Sequence, residues 1–248
     1  MAANIAKVSS RWTSSRLHSE ILCVRYGHAG VPVLLFPTAG GDAEECERFL
    51  MIRVLTPLIE AGRIKVFSCD SVAGRTWISS EHSSAYKARM QNVFNDFLTE
   101  ELLPAIRSDC GGDVEVISAG ASIGAYNALV ALCRNPQHFR TAICMSGTYD
   151  LSRWMKGDHT TDLHVVSPLH FVPFLDEDSR QLALLRQRLV LLPTGEGRWE
   201  APDESWKIAN VLGARGIPNR VDLWGEHYDH DWVTWRDMLP KYLADLTA

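Results

Sequence analysis

Gly120-Ala121-Ser122-Ile123-Gly124 forms a G-x-S-x-G pentapeptide between an apolar run, Val114 to Ile117, and a helix-like run, Ala125 to Cys133. A serine in a sharp strand–turn–helix setting is held at the tip of the turn, where a base can reach its hydroxyl. The flanking glycines let neighbouring backbone pass without side-chain clashes. A serine hydroxyl becomes a useful nucleophile only when such a base takes its proton. The base is commonly a histidine oriented by a carboxylate, and on this type of turn the chain order is serine, acid, histidine. Six histidines follow Ser122: His138, His159, His164, His170, His227 and His230. Only His227 and His230 follow the last expected strand, and His230, just before a helix start, is favoured over His227. Asp231 is then expected as an N-cap or first-turn acid.

The acid should follow the strand around Leu189 to Thr194. Glu196, Glu200, Asp203 and Glu204 are the candidates there. Pro202-Asp203-Glu204 also reads as an ordinary helix start, since acids favour the first turn. Two backbone N–H groups must face the negative charge that develops on the acyl oxygen. Ile123, next after the serine, supplies one. The small-residue turn Pro37-Thr38-Ala39-Gly40-Gly41-Asp42 supplies the other. That turn lacks the Gly-Lys-Ser/Thr of a P-loop. The cluster His227, Asp229, His230 and Asp231 lacks H-E-x-x-H spacing, so no metal is expected, and no organic cofactor is required.

These segments need elements to position them. Strands are expected at Ile21 to Arg25, Val31 to Phe36, Ile64 to Cys69, Val114 to Ile117, Thr141 to Met145, Leu189 to Leu192 and Arg220 to Trp224. Helical patterns fall at Ala43 to Ala61, Ser84 to Ser108 (with Pro104 expected to kink it), Ala125 to Cys133, Glu204 to Ala214 and Asp231 to Leu246. The alternation predicts an α/β fold, with a mostly parallel sheet and helices on both faces. Ligands bind such sheets beyond the carboxyl ends of the strands. The serine turn, the Pro37–Asp42 turn and the loops after Leu192 and Trp224 all lie at such ends. The irregular stretch 148–178 is expected to fold over the site as a small cap on a single domain spanning 1–248.

Bulk properties narrow the classes. A chain of 248 residues with 46% hydrophobic residues can bury a sizeable core. Net charge of −5 and scattered basic residues argue against nucleic-acid binding. No leader pattern precedes the first strand and no apolar run reaches membrane-spanning length. The six cysteines show no C-x-x-C spacing and read as small core residues. The expected setting is cytoplasmic, with no membrane partner. Trp77, Trp154, Trp199 and Trp232 are candidates for pocket walls or core anchors.

The chain resembles the putative-esterase family of α/β-hydrolases, whose relatives include esterase-D-like enzymes, feruloyl esterases and antigen 85 mycolyltransferases. The matching pieces are Tyr26-Gly27-His28 with Val31 to Gly41, Gly120 to Ala125, Ser146 to Leu151, Ser167-Pro168-Leu169, and His230-Asp231-Trp232 with Trp235. The resemblance implies the α/β-hydrolase fold, Ser122 as nucleophile, His230 as base and an oxyanion donor at or near Ala39. Many relatives place the acid where this chain has Arg198. Mycolyltransferases use a Glu at a helix start after a Pro, which is similar to Pro202-Asp203-Glu204. That similarity favours Glu204 over Glu200 and Asp203. The expected activity is hydrolysis of a small carboxylic ester through an acyl-enzyme. The alternatives are acyl transfer to an alcohol or sugar at the same site, suggested by Glu204, and a non-catalytic binding protein, suggested by Arg198.

Overall fold

A computed structural model describes residues 5–156, 158 and 160–248. Residues 1–4, part of the stretch read for a leader, and the candidate His159 lie outside the described residues. Among the described residues eight strands form one sheet: β1 (Lys7–Thr13), β2 (Glu20–Tyr26), β3 (Val31–Phe36), β4 (Ile64–Cys69), β5 (Val116–Ala121), β6 (Phe139–Met145), β7 (Leu189–Thr194) and β8 (Asn219–Leu223). Their spatial order is β1-β2-β4-β3-β5-β6-β7-β8. Strand β2 runs antiparallel to β1 and β4. All strands from β4 to β8 pair in parallel. The chain moves outward from β3 to β4 and then returns past β3 to β5. That reversal opens a crevice beyond the carboxyl ends of β3 and β5, where ligands settle in open α/β sheets.

The inner strands are nearly continuous apolar runs because both faces are covered. Leu34, Phe36, Ala142 and Leu192 face one core with Phe94, Leu129 and Ile208. Val33, Leu35, Ile117 and Ile143 face the other, closed by Leu55 and by Met238, Leu239 and Leu243 of the last helix, Trp232–Leu246. Five cysteines are buried and Cys110 is half-buried, none in a disulfide. Among the described residues, no helix is long and apolar enough to cross a membrane.

Three expectations differ from the structure, and two helices lie where none was expected. The first strand is β1, which begins fourteen residues before the one expected; six of its seven residues are exposed, so it carries no burial periodicity. It is a polar edge strand, and its cationic side chains discourage edge pairing with other chains. The helix expected over Ala43 to Ala61 is two helices, Glu45–Arg48 and Met51–Glu60, broken where Leu50 turns left-handed at φ 63°. Between Ser84 and Ser108, the chain runs Ser84–Phe97, a π-helical turn Leu98–Leu102, then Leu103–Asp109. Pro104 has no N–H to donate to the carbonyl four residues back and its ring crowds that carbonyl, and the wider π turn lies just ahead of it. Helices Val72–Ile78 and Arg180–Leu185 were not expected at all.

The stretch 148–178 holds short helices at Ser152–Met155, Thr161–Val166 and Pro168–Phe171. The first two dock through Met155 and Leu163, with Leu151 beside them, on a cluster with Trp77, Ile123 and Tyr126, and the third buries Phe171 against the larger core. Polar ties reinforce this: the Tyr126 hydroxyl donates to the Val166 carbonyl at 2.9 Å, and Ser84 Oγ donates to the Met155 carbonyl at 3.0 Å.

Candidate active site

Strand pairing brings the site segments side by side. Phe36 pairs with Gly120, so the Pro37–Gly41 turn leaves the sheet beside the serine turn. Ala121 pairs with Met145, and Thr194 with Leu223, which lines up the loops after β6, β7 and β8 along the same rim.

Ser122 sits at φ 57°, ψ −121°, between β5 and the helix Ile123–Arg134. A non-glycine residue pays strain energy in that region, and it persists only where the surroundings fix it. Here they do. Ser122 N donates to the Met145 carbonyl at 3.0 Å, and its own carbonyl accepts from Ala125 N at 3.1 Å. Both glycines of the pentapeptide are required by close approach. A Cβ on Gly124 would lie 2.6 Å from the Pro37 carbonyl oxygen and 2.7 Å from that of Phe36. A Cβ on Gly120 would collide with the Gly124 carbonyl. Ile123 opens the helix, so its amide has no carbonyl one turn earlier to bond.

The Ala39 turn is braced from below by Glu45, whose side chain is buried. Its carboxylate accepts from Thr38 N at 2.7 Å and Thr38 Oγ1 at 2.6 Å. Burial raises the Glu45 pKa above the usual carboxylate value, with the Thr38 donors opposing it. A side chain on Gly41 would strike that carboxylate. Gly74 closes the other flank, where a Cβ would come within 3.4 Å of Ala39 Cα.

His230 lies in the loop after β8, its N donating to the Arg198 carbonyl at 3.0 Å. Its ring packs edge-to-face on Trp235, centroids 5.1 Å apart at 87°. Its Nδ1 faces Glu200 Oε2 at 3.7 Å, and the Glu200 side chain is only 1% exposed. That separation is ion-pair reach and longer than a formed hydrogen bond; such contacts often tighten only when substrate binds. Glu200 is held by two hydroxyls, Ser146 Oγ donating to Oε1 at 2.6 Å and Thr194 Oγ1 to Oε2 at 3.0 Å. Ser146, itself left-handed at φ 46°, accepts from Trp235 Nε1 at 3.0 Å. One tryptophan therefore packs the imidazole and, through Ser146, fixes the carboxylate.

Glu204, the acid favoured from the sequence, lines the same cavity as Ser122 and His230, with its carboxylate bonded to other groups. Its Oε2 accepts from Tyr149 N at 2.9 Å and Asp150 N at 2.8 Å, and Lys207 Nζ donates to its Oε1 at 2.7 Å. It ties the helix Pro202–Ala214 to the loop after β6. Glu196 and Asp203 are exposed, as is His227. His138 precedes β6 at the opposite end of that strand and contacts Arg107. His170 contacts Ser167 Oγ at 2.7 Å, and His164 packs on Phe174. Asp231 is the N-cap of the last helix but makes no side-chain cap bond. Among the described residues, no group of three or more His, Cys, Asp or Glu side chains could hold a metal.

Arg198 ties the two loops together. Its N donates to Asp229 Oδ1 at 2.7 Å, and its Nη2 meets Oδ2 at 3.0 Å. These bonds hold the Asp229 pKa below its ordinary value, the backbone donor contributing most. The ion pair is solvent-exposed, so screening keeps it weak. Asp229→Ala is expected to cost a few-fold in kcat/KM by loosening the His230 loop. The depressed pKa makes this tie present above the ordinary Asp pKa and lost as acid protonates Asp229; kcat/KM measured against salt and pH would check it.

Ser122 and His230 line one cavity of about 320 Å³, together with Ser146, Gly147, Thr148, Asp150, Ser152, Arg153, Trp199, Ala201 and Glu204. Sequence reading gave no role to Ser146, Thr194, Trp235 or Glu45. A serine or threonine at the end of a strand carries no signal of its partner, although Ser146 opens one matched piece and Trp235 stands beside the matched His-Asp-Trp tail.

An eight-stranded, mostly parallel sheet of this order, covered by helices and bearing such a serine turn, has the α/β-hydrolase fold. The family described as "Putative esterase" matches residues 59–246, and the chain belongs to that family of ester hydrolases. A ferulic acid esterase is 17% identical, with 98% of each chain covered and a TM-score of 0.76. An S-formylglutathione hydrolase from Agrobacterium tumefaciens is 16% identical, covering 100% of this chain and 98% of its own, with a TM-score of 0.74. An enterobactin esterase from Shigella flexneri is 19% identical, covering 99% of this chain and 60% of its own, with a TM-score of 0.70. At such identities these likenesses speak for the fold alone. A search of curated proteins found no match to the chain.

Proposed function

We propose that the chain is a serine carboxylic-ester hydrolase in which Ser122, His230 and Glu200 form the triad. The observation that carries this reading is the shared cavity of Ser122 and His230, with a buried carboxylate behind the imidazole. His230 Nε2 takes the Ser122 proton as Oγ attacks the acyl carbon. The resulting oxyanion accepts from the Ile123 and Ala39 amides. Collapse breaks the bond to the alcohol, which leaves with the proton from His230. Water then attacks the acyl-serine by the same route, releasing the acid. Glu200 keeps the proton on Nδ1 and stabilises the imidazolium. Glu204, committed to two amides and a lysine, is a structural tie in this reading.

The acyl-transfer alternative loses its motive, since it rested on Glu204 as the acid. The non-catalytic alternative weakens because Glu200 fills the role that Arg198 left open. A fluorophosphonate probe should label wild type, with the adduct mapping by mass spectrometry to the peptide carrying Ser122. An adduct elsewhere, or no labelling of an enzyme that hydrolyses esters, would count against the reading.

The Glu45 brace gives a separate check on the oxyanion turn. Glu45→Ala leaves the Thr38 N–H unpaired and is expected to lower stability by about 1–3 kcal/mol. It should also lower kcat by roughly tenfold, less than the ~10²–10³ of losing a donor outright. Glu45→Gln, which keeps an acceptor for that N–H, should recover most of both. Equal kcat in all three forms would separate this brace from the chemistry.

A further inference from the structure

We infer that the site, on its reading as a serine esterase, takes an ester carrying a carboxylate close to the scissile carbonyl, and that Arg153 receives that carboxylate. Three charged side chains line the cavity: Asp150, Arg153 and Glu204. The two acids already have their donors. Glu204 accepts from two backbone amides and Lys207. Asp150 accepts from Ser152 N at 3.0 Å and lies 3.7 Å from the same lysine. The other cation nearby, Arg198, is spent on Asp229.

Arg153 differs from all of these. Among the described residues its guanidinium makes no ion pair or hydrogen bond; its contact is the face of Trp154, 4.0 Å from the ring centroid. That ring packs in turn on buried Trp77, at 6.3 Å. Stacking of this kind fixes the plane of the guanidinium and leaves its edge donors available. A planar, pre-oriented fork suits a carboxylate bound by two parallel hydrogen bonds, and little side-chain freedom remains to be lost on binding. At about 320 Å³ the cavity lies at the small end of ligand pockets. The carboxylate must therefore lie only a few bonds from the ester, as in a half-ester of a short dicarboxylic acid. Exposed Trp199 lines the same cavity and supplies an apolar wall for the intervening carbons.

The test compares the mono-p-nitrophenyl ester of adipic acid with its methyl-capped, uncharged analogue. Wild type should favour the charged ester about 10–100-fold in kcat/KM, the range of a charge-assisted hydrogen bond, and the preference should shrink with salt. Arg153→Gln should reduce the ratio to about one, mainly through KM. Arg153→Glu should instead favour an analogue ending in trimethylammonium. An unchanged ratio in Arg153→Gln, with hydrolysis still abolished in Ser122→Ala, would overturn the assignment to Arg153 alone. Hydrolysis that survives Ser122→Ala would overturn the serine reading and this inference with it.

Discussion

Ser122→Ala is expected to lower kcat/KM for any ester substrate by about 10⁴-fold or more, with folding stability changed by no more than ~0.5 kcal/mol. Removing the nucleophile of a triad removes the whole covalent route, leaving what the oxyanion donors and binding can still achieve. Alanine accepts the left-handed backbone of the turn about as poorly as serine, so the strain at φ 57° is carried over unchanged. The bonds that pin the turn are backbone bonds, and they survive the substitution. The variant should therefore match wild type in melting temperature while losing p-nitrophenyl ester turnover and fluorophosphonate labelling together. Retained turnover in a clean preparation would remove Ser122 from the reaction.

The second large effect distinguishes the two acids. Glu200→Gln is expected to lower kcat by about 10²–10⁴-fold, because an amide can hold the imidazole in the wrong tautomer and cannot stabilise its cation. Glu204→Gln should lower kcat no more than a few-fold, since its amide oxygen can still accept from the Tyr149 and Asp150 amides. Its cost should appear instead in stability, at about 1 kcal/mol, from the weakened tie to Lys207. The reverse order of the two kcat effects would return the acid to Glu204. Measuring both variants in one assay makes the comparison independent of substrate choice.

The serine turn was legible because its requirements are local. Strand, turn and helix are consecutive, and glycines stand where backbone passes closest. The place of His230, in the loop ahead of the last helix, was legible from chain order and from the helix that follows it. The burial of Glu200, the acid proposed for the triad, was not. Four acids fall within nine residues, Glu196 to Glu204, and which one turns inward depends on the path of the loop. That path includes Trp199 at φ 63°, a left-handed tryptophan that no sequence pattern announces. Its neighbour Glu200 is then buried against Ser146 and Thr194, two strands' worth of partners that only pairing of β6 with β7 brings together. The favoured Glu204 sits at a helix start after a proline, and there its carboxylate bonds the Tyr149 and Asp150 amides and Lys207. Similarly, β1 has no legible pattern because an exposed edge strand has no buried face to set a period.

Trp235 belongs to the last helix, yet it both packs His230 and donates to the serine that holds Glu200. A nascent chain grows at its C-terminal end, so the segments holding Ser122 and Ser146 emerge long before Trp235. Until that helix docks, the imidazole lacks its packing partner and Ser146 lacks its indole donor. Acquisition of activity during synthesis or refolding should thus follow docking of the final helix, after most of the sheet has formed.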